Sequence, residues 1–178
     1  VGEQCRIGDE QLLVMQEEQA TLTLQAEPGS AAPALSLLRR FSAPVNVQLE
    51  LSLQESLQLL ARDDDPFSRW DAGQRLARQV LLARANGQPD ATVETALIEA
   101  LRQRLIAYDG AAGQDLAVLL ALPGTAELEA LQSPVDPPAL YAAQRAWVAE
   151  LGRQLSDPLH QLLAACHGDW SLAWPAGQ

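Results

Sequence analysis

The hydrophobic period of this chain changes at Ser52, and the change governs what the chain can fold into. Before that point Leu12 and Val14, then Ala20, Leu22 and Leu24, then Val45, Val47, Leu49 and Leu51 alternate with polar residues. A period of two is that of a strand with one face in water. Pro28, Gly29 and Pro33 mark a loop between the runs. After Ser52 the apolar residues recur every three or four positions, the period of an amphipathic helix. The expectation is therefore an α+β chain, with strands over 1–51 and antiparallel helical hairpins over 52–178. Three or four strands fall short of the roughly seven of a complete sandwich, so they read as part of a domain whose other strands lie upstream.

The helical part is punctuated by recognisable start and stop signals. Ser52 and Glu55 have the spacing of a capping box, after which Leu53, Leu57 and Leu60 share one face. Asp65 before Pro66 predicts a second start: the carboxylate caps, and proline suits the first helical position. Phe67, Trp70, Ala77, Val80 and Leu81 form its stripe, and Asn86-Gly87 ends it. A third helix carries Val93, Leu97, Leu101, Leu105 and Tyr108 and stops near Gly110. Short helices near 116–122 and 125–131 follow, separated by Pro123 and Gly124. Asp136-Pro137 opens a long helix with Leu140, Gln144, Val148, Leu151 and Leu155 inward, and Asp157-Pro158 opens a shorter one. Asp65-Pro66 and Asp136-Pro137 are each followed by a Gln-Arg pair, a hint of degenerate repetition too imperfect to establish a solenoid.

Composition narrows the partners. Apolar residues make up 48% of the 178, enough for a real core, and the formal charge of −11 repels a polyanion, so nucleic acid is not expected. Cys5 and Cys166 stand near opposite ends without CxxC or Cys/His spacing, which fits free thiols in a reducing cytoplasm. No apolar run reaches the roughly 18 to 20 residues that span a bilayer, and the N-terminus lacks a signal-peptide plan. A start at Val1 suggests an excised piece of a longer protein.

FSAPV (Phe41 to Val45) and above all DPFSRWDAGQRLA (Asp65 to Ala77) resemble segments of bacterial aminopeptidase N. The first is similar to the strand closing that family's immunoglobulin-like third domain, the second to an early helix of its C-terminal helical domain. LLVMQEEQATLTL resembles the preceding strand, turn and strand; LPGTAELEAL and VDPPALYAAQRAWVAELGRQL resemble the next helices in the same order. The resemblance implies a partial immunoglobulin-like β-sandwich over 1–51 and the start of the helical C-terminal domain over 52–178. It also implies a parent enzyme that removes N-terminal residues from peptides with one zinc ion. In that family the zinc sits in an upstream thermolysin-like domain, on an H-E-x-x-H helix with a more distant glutamate, beside a Gly-Ala-Met-Glu-Asn segment. None of these motifs occurs here, so no catalytic, cofactor-binding or metal residue is carried onto this chain. The expected partners are the upstream catalytic domain of the same polypeptide and, through it, peptide substrates, with self-association of the isolated chain as a further expectation. The alternative readings are a free-standing helical interaction module and an enzyme with an unrecognised site.

Several constellations have a functional reading beside a structural one. Asp63, Asp64 and Asp65 could surround a hard cation, but Asp65 is explained as a cap and its neighbours favour the positive end of the same helix. His160 and His167, with Cys166 beside the second, are two helical turns apart, roughly 10 Å, too far to share one zinc. Trp70 reads as a core anchor, and Arg69 as an exposed or interdomain ion-pair partner. Trp147, Trp170 and Trp174 read as equally suited to core and to a surface facing another domain.

Overall fold

The computed structural model describes residues 3–7, 10–14, 18–19, 21, 34–45, 47–108 and 113–166. They fall in two compact units, Val1–Pro33 and Ala34–Gln178. In the first, β1 (Glu3–Ile7) pairs antiparallel with β2 (Glu10–Val14), Cys5 opposite Leu12. The expected strand at Leu12 and Val14 is β2. The expected strand at Ala20 to Leu24 lies outside the described residues except at Thr21, which is not in a strand.

The second unit has, among the described residues, a short 3-10 turn at Arg39–Phe41 followed by seven α-helices: α1 (Leu53–Arg62), α2 (Pro66–Ala85), α3 (Ala91–Ile106), α4 (Gly113–Leu120), α5 (Thr125–Ala130), α6 (Pro137–Gln154) and α7 (Ser156–Cys166). Their starts are chemical. Ser52 and Glu55 close the capping box: the Glu55 N–H donates to the Ser52 hydroxyl at 3.2 Å and the Ser52 N–H donates to the Glu55 carboxylate at 2.8 Å. The Ser52 hydroxyl, donating to the same carboxylate, holds the Glu55 pKa below the usual carboxylate range. Asp65 accepts from Phe67 N–H and Asp136 from Ala139 N–H, each ahead of a proline in the first turn. Asp90 caps α3 through Thr92 and Val93 N–H, a start the sequence reading passed over. At the other end of α2 the chain turns through Gly87 at φ 71°, a conformation glycine adopts without a Cβ clash. Helix α7 begins at Ser156, so Asp157 lies inside its first turn rather than capping it.

Helix α2 is the centre of the unit and packs against α1, α3, α4, α5 and α6. Ala72, Gly73 and Gln74 are buried in succession, as are Leu76 with Ala77 and Val80 with Leu81. Burial around more than one face requires small residues, and Ala72, Gly73 and Ala77 provide them. Leu60 of α1, Leu97 of α3, Leu128 of α5, and Leu140 and Trp147 of α6 complete a continuous core.

The immunoglobulin-like sandwich is corrected by this structure. The unit spanning 34–178 is helical, and the residues expected as its cleanest strand, Val45 to Leu51, form no strand. Residues 34–51 belong to the same compact unit as the helices. The alternation is nevertheless real: Val47, Leu49 and Leu51 are half-buried while Gln48 and Glu50 are exposed. Leu51 packs on the helical core, and the Leu49 carbonyl accepts from Arg75 Nη1 of α2 at 3.0 Å. A period of two reports a segment with one face covered; here a helix rather than a neighbouring strand covers it.

The tryptophans are also reassigned. Trp70 is half-buried, tilted against Phe67 with ring centroids 5.5 Å apart, and lies outside the core cluster. Trp147 is the core anchor, at 0% exposure. Val148, expected in the inward stripe of α6, is 56% exposed because Trp147 takes the inner position beside it.

Two stability measurements follow. Trp147→Ala is expected to cost about 3–5 kcal/mol in denaturant melts, the usual penalty for emptying a large core site. Trp147→Phe, which keeps a buried ring and sheds an indole N–H that has no hydrogen-bond partner, costs under about 2 kcal/mol. Gly73 gives the converse test. A Cβ there would lie 3.4 Å from Leu119 Cδ1 and 3.5 Å from Leu60 Cδ1, ordinary contact with mobile side-chain ends. Gly73→Ala should thus be neutral or stabilising by up to about 1 kcal/mol through helix propensity, whereas Gly73→Leu should destabilise by about 1–3 kcal/mol or more. Equal losses for both would show that the α1, α2 and α4 contact tolerates no side chain at all.

Candidate functional site

The acidic cluster at the start of α2 is the densest group of ionisable side chains. Its oxygens are largely engaged by the protein itself. Arg39 Nη1 donates to Asp63 Oδ1 at 2.8 Å and its Nη2 to Asp64 Oδ1 at 2.5 Å. Arg39 also donates to Ser36 Oγ, which hydrogen-bonds Ser68 Oγ, which donates to Asp65 Oδ2. Asp65 Oδ2 accepts further from Arg40 N–H at 3.3 Å, and Asp63 Oδ1 accepts from Asp65 N–H at 2.9 Å. Asp63 is nearly buried, its side chain 2% exposed, while Asp64 at 86% stands in water. The hydrogen bond from Arg39 holds the Asp64 pKa below the usual carboxylate range.

This arrangement is a latch. It ties the segment before α1 to the first turn of α2, and it holds Leu38 and Arg40 at φ 54°, a left-handed conformation that costs a non-glycine residue roughly 1 kcal/mol. Three carboxylates read in sequence as a conceivable cation site are engaged by an arginine, by serines and by helix N–H groups. Among the described residues no group of three His, Cys, Asp or Glu side chains could hold a metal ion.

The remaining sequence-singled residues are dispersed. Arg69 is mostly buried rather than exposed, donating to the Asp63 carbonyl at 2.7 Å and lying 3.9 Å from Asp115 of α4. His160 is exposed, and its Nδ1 donates to the Ser156 carbonyl at 2.8 Å and lies 3.3 Å from the Ser156 hydroxyl, both within its own helix. His167, Trp170 and Trp174 lie outside the described residues, as does the side chain of Cys166.

A groove of about 570 Å³ lies between the α2–α3 turn and α6. Ala139, Ala142, Ala143 and Ala146 form one wall, Pro89 and Ala91 the other. The Arg84–Glu94 pair lies at its edge, Nε and Nη2 each donating at 2.7 Å to one carboxylate oxygen, and the Arg84 guanidinium lies 4.9 Å over the Trp147 ring. The bidentate pair and the stacking fix that guanidinium in place. The groove's one carboxylate, Glu94, has both oxygens held by Arg84, and the rest of the lining is alanine and proline, so it has the chemistry of a packing surface.

Comparison with known proteins fits this reading. Residues 53–174 match the family described as a domain of unknown function (DUF3458_C) with ARM repeats. The chain is 37% identical over 155 residues to the aminopeptidase N of Caulobacter vibrioides, covering 87% of this chain and 17% of that protein. It is 32% identical over 129 residues to the aminopeptidase N of Escherichia coli, covering 71% and 15% respectively. Among solved structures it resembles the Legionella pneumophila aminopeptidase A crystallised with aspartic acid, with a TM-score of 0.60 and 26% identity, covering 74% of this chain and 16% of that one. The chain thus spans about a sixth of the length of the curated relatives it matches. With a helical unit that coincides with the matched residues, the chain belongs to the DUF3458_C family of ARM-repeat domains and is a relative of the bacterial aminopeptidases N.

Proposed function

We propose that this chain is a non-catalytic helical part of a zinc-dependent aminopeptidase N, an enzyme that removes N-terminal residues from peptides, and that its role there is architectural. The observation that carries the reading is that similarity to aminopeptidases N runs over residues forming a tied helical scaffold. The sequence has two histidines and no H-E-x-x-H, so the zinc and the bond-breaking groups belong to another domain of the same polypeptide. That catalytic domain is its partner, and stacked helices beside it limit which peptides reach the metal. Two widely separated cysteines and an acidic charge suit a cytoplasmic enzyme. Among the described residues no helix is long and apolar enough to cross a membrane.

Hydrolysis in such an enzyme needs a metal-activated water and a general base, neither of which these residues supply. The purified 178-residue chain should show no stoichiometric zinc after dialysis and no cleavage of an alanyl-anilide above a buffer blank. A polypeptide that also carries an H-E-x-x-H domain should do both. One zinc per chain together with hydrolysis by the 178 residues alone would overturn the proposal.

A further inference from the structure

Residues 34–45 lead into the helices and lie against them by polar contacts far more than by apolar burial. No described side chain from 34 to 45 is buried, and only Ala34 touches the rim of the core cluster. Leu35, Leu37 and Val45 are 42%, 44% and 57% exposed. The hold is at the corner between α1 and α2. There Arg39 forks onto Asp63 and Asp64, Ser36 hydrogen-bonds Ser68, and the Arg40 N–H donates to Asp65. The closed arrangement carries two costs that opening removes. Asp63 Oδ2 is buried with no hydrogen-bond partner among the described residues, an oxygen that water would reach once the segment left. Leu38 and Arg40 sit at φ 54°, a conformation that a freed backbone abandons for extended ones. The helices do not depend on the segment for their ends: Ser52 with Glu55 caps α1, and Asp65 caps α2 through Phe67 N–H. Downstream, Arg75 holds the Leu49 carbonyl and Leu51 packs on the core, so an opening from the N-terminal side halts before α1.

We propose that residues 34–45 are a strap that opens as one piece while the seven helices stay folded, and that the Arg39 clasp on Asp63 and Asp64 is the pin that keeps it shut. Closed, the strap fixes the point at which the chain enters the helical unit. Open, the same stretch is a free tether with a reach of up to about 40 Å. Such sub-global opening falls to segments with little buried apolar contact and exposed polar ties, which describes this strap and none of the core helices. The pin is Arg39 rather than the serines because it alone faces two carboxylates, one of them nearly buried, and a buried carboxylate that loses its cation drives the opening that hydrates it.

Thiol labelling of the 178-residue chain, read by peptide mass spectrometry, tests this. Ser68→Cys sets a thiol beside Ser36 of the strap, at a position 7% exposed, and Val80→Cys sets one in the core of α2 at 2%. Each is compared with and without Arg39→Gln. The expected result is that Arg39→Gln speeds labelling at position 68 by at least about tenfold while the rate at position 80 and the helical circular dichroism stay as they were. An unchanged rate at position 68 overturns the proposal, because something other than Arg39 then holds the strap. A parallel rise at both positions overturns it as well, since the clasp then supports the whole fold rather than a separable strap. Loss of the helical signal in Arg39→Gln has the same meaning.

Discussion

Everything in the helical unit depends on burying α2, a 20-residue helix, among five others while keeping its polar groups satisfied. A helix end taken out of water leaves backbone N–H groups without partners, and α2 starts at Asp65, which is only 8% exposed. The Asp65 carboxylate caps Phe67 N–H and accepts from Ser68 and from Arg40 N–H, while Arg39 neutralises the two acids before it. A capped end alone would leave several carboxylates crowded at one point. The latch makes that crowding tolerable, because each acid beside the helix has an arginine or backbone donor facing it.

The same helix spends its polar side chains on its neighbours, nearly one apiece. Arg69 reaches Asp115 of α4 and buried Gln74 donates to the Ala121 carbonyl just after it. Arg75 holds the Leu49 carbonyl, Arg78 pairs with Glu127 of α5, and Arg84 pairs with Glu94 of α3 while stacking on Trp147 of α6. Exposed ion pairs contribute little individually. Their value here is geometric, since apolar burial is non-directional and a helix packed by small residues could otherwise slide or rotate against its partners. Arginine fits the task because its fork donates to two oxygens at once and its plane stacks on indole.

Much of this was legible from residue spacing. Ser52, Asp65 and Asp136 announce helix starts because a capping side chain acts within three residues of itself, and local chemistry survives in sequence. The third helix was equally legible, as Val93, Leu97, Leu101 and Leu105 are all buried. What failed were inferences about which partner lies across a face. Val47, Leu49 and Leu51 alternate because one side is covered, and sequence period cannot say whether a strand or α2 does the covering. Trp70 and Trp147 both occur in helical stripes, and only the positions of α2 and Arg84 decide that the second is the anchor. The acidic cluster was correctly read as helix-capping; its arginine, 24 residues away, had no local signal. The hairpin strand at Glu3–Ile7 was passed over although Gly8-Asp9 between two polar-apolar runs is a familiar turn signal.

The groove lies on one flank of α6, and Tyr141 and Val148 are exposed on the other. A helix covered on one side only is a terminus, and terminal repeats carry a polar outer face. Helix α6 does not: its alanines line one flank and Tyr141 and Val148 the other. On its inner side Gln144 ties it to Thr125 and the Pro123 carbonyl. In a stacked array of repeats each contact is with the next repeat, so the array can be extended without altering the repeats already in place. Within this unit stiffness comes from one continuous core together with ties such as that at Arg39.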